Sequence, residues 1–120
     1  MILSITQPEF QKLVQIVQDL PDFSSARDRR RLLEVAFGGV KRGSNVLSRV
    51  DLEGSPRGVA TSLIQRLMTF GQVEPGREAL SVLLDEILSN MGSGDDADFL
   101  SDLIVHYQMN TDKSSMQMVF

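Results

Sequence analysis

Residues 69–80 read TFGQVEPGREAL. An apolar pattern at helical spacing runs into Phe70-Gly71, and a second one begins four residues later at Pro75-Gly76. Glycine takes the left-handed conformation that ends a helix, and proline pre-sets the backbone angle that starts one. Between them, Gln72-Val73-Glu74 offers one carboxylate, no histidine and no nucleophile. The stretch therefore reads as a joint between two helices rather than as a catalytic loop.

Working outward, the same punctuation recurs. Pro75 is expected to open GREALSVLLDEILSNM, whose Leu80, Leu83, Leu84, Ile87, Leu88 and Met91 form the cleanest apolar stripe in the chain. On the other side, Ser55-Pro56 is an N-cap followed by a first-turn proline, and Ala60, Leu63, Ile64, Leu67 and Met68 share one helix face. Thr6 stands three residues before Glu9, a capping-box spacing, ahead of Phe10, Leu13, Val14, Val17 and Leu20. Ser24 or Ser25 opens ARDRRRLLEVAF, which stops at Gly38-Gly39. A short piece around Val46, Leu47 and Val50 predicts one or two turns. Asp95, three residues before Asp98, is expected to cap the last helix, which carries Phe99, Leu100, Leu103, Ile104 and Tyr107. Strand alternation is nearly absent. These readings predict an all-α, compact five- to six-helix bundle over residues 1–107, with 108–120 as a flexible tail or the start of a linker.

The 120 residues suit one domain. No apolar run approaches the length of a membrane span, and MILSITQPEF lacks the basic-then-apolar order of a secretory signal. The chain has no cysteine, which excludes thiol catalysis, disulfides and Fe–S clusters. A cytoplasmic location is the expectation. The net charge of −4 hides an asymmetry: residues 1–50 carry eight Lys/Arg and five Asp/Glu, and residues 51–120 carry four and eleven. A globule with one basic and one acidic half can attract copies of itself or a partner built alike, with the plain uneven spread of charge in a small protein as the equal alternative.

Little in the chain points to catalysis. His106 is the one histidine, no serine lies in a nucleophile elbow, and the boundary position of His106 suits a ring with one face packed. GGVKRGS, residues 38–44, has the two glycines of a phosphate loop from Gly38 to Gly43. It lacks the lysine after the second glycine and follows a helix where a strand is required. It serves as a helix stop and turn. SGDDADFLSD lacks the calcium-loop spacing. No cofactor or metal is expected, and no enzyme.

The arginine cluster carries more weight. Arg27, Arg29, Arg30 and Arg31 fall within five residues, followed by Lys41 and Arg42. Exposed ion pairs contribute only about 0–1 kcal/mol each, so this basic face suits a contact with carboxylates or phosphates. A merely solvated helix start remains open. The acidic counterpart is Asp95, Asp96, Asp98 and Asp102, with Val105 on the same outer face. Nucleic acid is the alternative ligand of Arg27–Arg31, disfavoured by the acidic balance and by the lack of interleaved aromatic residues.

DLEGSPRGVATSLIQRLMTFGQVEPGREALSVLLDEI, residues 51–87, resembles the effector-associated domains of bacterial, often cyanobacterial, conflict and signalling proteins. The likeness rests on Asp51-Leu52, Gly54-Ser55-Pro56, Leu63-Ile64, Leu67, Phe70-Gly71, Pro75-Gly76, Ala79-Leu80 and Leu83-Leu84, and it is strongest over residues 45–105. It implies a death-fold-like helical bundle with no catalytic residues. It implies an adaptor that pairs with a like domain and so recruits an effector protease or couples to a signalling ATPase, with homo-oligomers among the outcomes.

Overall fold

The computed structural model describes residues 5–40, 42–74 and 76–107, without the side chain of Asp22. Helix α1, Gln7–Gln18, starts where the capping box predicts. Glu9 N–H donates to Thr6 Oγ1 at 3.4 Å, and Thr6 N–H donates to the Glu9 carboxylate at 3.2 Å. Its buried stripe is Leu13, Val14, Ile16 and Val17, which packs on α4, Pro56–Phe70. A 3₁₀ turn, Pro21–Phe23, then drops Phe23 into the core. Helix α2, Ala26–Phe37, is capped by Ser25, whose Oγ accepts from Asp28 N–H at 3.2 Å. The short α3, Gly43–Leu47, packs back on α2. Ser55 Oγ accepts from Gly58 N–H at 3.2 Å and opens α4.

The joint after α4 differs from the expectation of a direct helix start at Pro75, a residue outside those described. Gly71 ends α4 with φ 83°, and the chain then forms a two-stranded antiparallel hairpin, β1 Gln72–Glu74 and β2 Arg77–Glu78. Pro-Gly is a turn signal as much as a helix signal. Gly76 takes φ 78° in that turn, and Val73 between two more exposed neighbours is buried. Helix α5 therefore begins only at Ala79 and runs to Met91, with Gly71 C=O accepting from Ala79 N–H at 2.8 Å.

Helix α5 is the centre of the bundle: every residue from Ala79 to Leu84 is buried, and α2, α4 and α6 (Asp95–His106) all pack on it. Leu80, Leu83, Leu84 and Ile87 meet a core that includes Leu33, Phe37, Leu63, Leu67, Leu100 and Leu103. The start of α6 also departs from expectation. Asp95 is its first helical residue, not its cap; Gly94 holds the cap position at φ 144° with no side-chain cap bond. The carboxylates of Asp95, Asp96 and Asp98 act on the first turn through the helix dipole instead.

Tyr107 O–H donates to the Glu9 carboxylate and ties the end of α6 to the first turn of α1. That bond, with the Thr6 hydroxyl, holds Glu9 below the usual carboxylate range, and the same carboxylate pushes the Tyr107 phenol up. A depressed carboxylate stabilises the fold fully above its unfolded value and loses that contribution as pH falls through its folded value. A raised phenol is stabilising below its unfolded value and loses its contribution as pH rises through its folded value. Tyr107→Phe should lower the melting temperature at neutral pH, with the variant and wild-type curves converging in acid. A difference that persists undiminished after Glu9 is protonated would refute the assignment.

Candidate docking surfaces on two helices

The period of α2 decides which arginines are available. Arg29, Leu32, Leu33 and Phe37 face inward, and Arg27, Arg30 and Arg31 face solvent. Arg29 is only 2% exposed. Its Nε donates to Phe23 C=O at 2.9 Å, and its Nη1 donates to Leu52 C=O at 2.8 Å and Gly54 C=O at 3.0 Å. The guanidinium lies 5.2 Å from the Phe23 ring centroid. Arg29 is thus removed from the expected basic face: it is an internal clamp joining α2, the 3₁₀ turn and the loop before α4. The physical reason is that three backbone carbonyls accept from the guanidinium and so satisfy it in the core.

Arg27, Arg30 and Arg31 remain as a surface group, and among the described residues none forms an ion pair. Val35, one turn beyond Arg31, is 61% exposed. The outer line of α2 is therefore Arg27, Arg31, Val35, at i, i+4 and i+8. Nothing in the sequence reading singled out Val35, although its spacing from Arg31 was the signal that could have found it. Lys41 lies outside the described residues. Arg42 stands beyond the far end of α2, with its guanidinium 4.8 Å from the Phe70 ring centroid and Nη1 donating to Gln72 C=O at 3.1 Å. It belongs to a different neighbourhood from Arg27, Arg30 and Arg31.

On α6, Asp95, Asp96, Asp98 and Asp102 are all exposed, and Val105 is 71% exposed. Asp95, Asp98, Asp102 and Val105 recur at i, i+3, i+7 and i+10, one stripe along the outside of the helix. The two helices carry mirror-image chemistry: carboxylates leading to a valine on α6, guanidiniums leading to a valine on α2. At about 1.5 Å rise per residue the stripes are about 15 Å and 12 Å long, so one can lie along the other.

His106 packs its ring edge-on against Tyr107, with centroids 4.6 Å apart. Among the described residues no group of three His, Cys, Asp or Glu is placed to hold a metal ion, and no helix is long and apolar enough to cross a membrane. Glu78 is the buried carboxylate, pushed up by desolvation at the start of α5. It lines none of the surfaces above.

Comparison with curated proteins returns no match, and neither does comparison with solved structures. The sequence profile of the family described as Effector-associated domain 8 matches residues 7–107, from the first residue of α1 to the residue that closes α6. With a match over that span, the chain belongs to the effector-associated domain 8 family.

Proposed function

We propose that this domain is a non-catalytic adaptor that pairs with a like domain through charge-opposed helices, in the manner of death-fold assemblies, and so brings an effector to its site of action in a bacterial defence or signalling system. The effector is a protease or a signalling ATPase. The observation that carries this reading is the complementary pair of stripes, Arg27-Arg30-Arg31-Val35 on α2 and Asp95-Asp98-Asp102-Val105 on α6, each exposed and each without an internal ion partner among the described residues. The two stripes are different surfaces, so the contact is heterologous and propagates from copy to copy. Contact desolvates the two valines at one end of the stripes, and the charges set register and encounter rate. Nucleic acid is the weaker reading: with Arg29 in the core, only three arginines of the Arg27–Arg31 cluster stay at the surface, and the chain's net charge is −4.

The test is sedimentation of the purified domain against concentration and salt. Salt-sensitive growth into larger species is expected. Arg30→Glu/Arg31→Glu and Asp98→Lys/Asp102→Lys should each weaken self-association about 100-fold, a loss of about 2.7 kcal/mol, and a mixture of the two reversed forms should recover pairing. Association unchanged by either reversal, or weaker than about 1 mM for the wild type, overturns the homotypic reading.

A further inference from the structure

Three arginines from separate parts of the chain line one cleft. Arg42 precedes α3, Arg49 follows it, and Arg66 stands in the last turns of α4. With Val50, Thr69 and Phe70 they enclose about 130 Å³. Phe70 organises the cations: the guanidiniums of Arg42 and Arg49 lie 4.8 Å and 5.7 Å from its ring centroid. Arg42 is fixed further by its bond to Gln72 C=O, whereas among the described residues Arg49 and Arg66 pair with no carboxylate.

Three like charges gathered around one hollow repel one another, and among the described residues no ion pair offsets them. The C-terminal end of α4 carries only about half a negative charge. More than two positive charges therefore face the cleft uncompensated, on an apolar base that includes Val46 and Leu67. A single carboxylate neutralises less than half of that excess. A phosphate monoester carries about −1.5 to −2 at neutral pH and three acceptor oxygens, so it matches the cleft in charge and in the number of donors around it. Thr69 is among the lining residues, and its hydroxyl is a neutral group able to donate. We propose that the Arg42–Arg49–Arg66 cleft binds a phosphate monoester, either a free small ester or a phosphorylated side chain of a protein partner. The site shares no residue with the α2 and α6 stripes, so it stands or falls separately from homotypic pairing.

The full chain is titrated with N-acetyl-O-phosphoserine amide at low ionic strength and followed by amide chemical shifts. Saturable shifts confined to Arg42–Val50 and Arg66–Phe70 are expected, with a dissociation constant of about 1 mM or tighter. N-acetyl-glutamate amide should bind at least about tenfold more weakly. Arg49→Ala and Arg66→Ala, which remove no side-chain hydrogen bond among the described residues, should each weaken the phosphate ester about tenfold or more, the scale of one charge-assisted bond. Self-association by Arg49→Ala/Arg66→Ala should match the wild type. Absent shifts at about 10 mM ester, equal affinity for the carboxylate, or affinity indifferent to both arginines overturns the proposal. Tighter binding of the same phosphoserine within a glycine-flanked heptapeptide assigns the source to a protein segment; equal binding assigns it to a free ester.

Discussion

Arg29→Ala lowers the stability of this domain by about 3–5 kcal/mol, a large share of the roughly 5–15 kcal/mol that holds a domain of this size together. The side chain donates to three carbonyls, those of Phe23, Leu52 and Gly54. Its removal leaves these acceptors buried or half-buried without a donor, at about 1–3 kcal/mol each before water partly re-enters. It also unpins the 3₁₀ turn and the loop before α4 from α2. Lysine is no substitute, because one ammonium on a flexible stem cannot reproduce a planar fork aimed at three oxygens. Arg27→Ala, Arg30→Ala and Arg31→Ala should each stay within about 0.5 kcal/mol of wild type, as exposed changes do. Urea unfolding followed by circular dichroism reads the contrast. Equal midpoints for Arg29→Ala and Arg30→Ala would sink the idea that the cluster is divided between core and surface.

Gly43→Ala is expected to cost about 2–4 kcal/mol, at the upper end of what overpacking does. A Cβ at this position would lie 2.0 Å from the Phe37 carbonyl oxygen and 3.2 Å from the Phe37 Cβ. Both belong to a residue that is 1% exposed at the end of α2, so neither has room to move. The chain doubles back tightly here, with Gly43 N–H donating to Val40 C=O at 3.0 Å, and only a residue without a side chain allows α3 to close on α2. Gly39→Ala is the control: nothing lies within 4 Å of the added Cβ, and the change should fall within about 0.5 kcal/mol. A Gly43→Ala domain that melts with the Gly39→Ala domain would show that the joint relaxes without cost.

The caps and the helical stripes were legible because they are local. Thr6, Ser25 and Ser55 each satisfy an amide three residues ahead, and that chemistry depends on sequence spacing alone. The stop at Gly38 was legible too: α2 ends at Phe37 with Gly38 in the C-cap position. The hairpin at residues 72–78 was not legible in the same way. Pro-Gly fits either a helix start or a turn, and only the structure shows the strands on either side, with Val73 buried and Gly76 at φ 78°.

The faces of α2 and α6 were legible in part. The sequence placed Asp98, Asp102 and Val105 of α6 and Arg27 and Arg31 of α2 on outer faces, because the 3.6-residue period assigns faces without knowing the partner helix. By itself, then, the sequence determined an all-α bundle, the order and face of each long helix, and the separation of basic and acidic halves. Tertiary structure alone decided which cations are free. The helical period already set Arg29 within the arc of Leu33 and Ala36, but only the carbonyls of Leu52 and Gly54, more than twenty residues away, make it an internal clamp. Arg42, Arg49 and Arg66 have no common spacing and meet only because α3 folds back beside the end of α4. Spacing encodes contacts within a helix; contacts between helices depend on how the apolar faces pack, and that packing is set by the whole core at once.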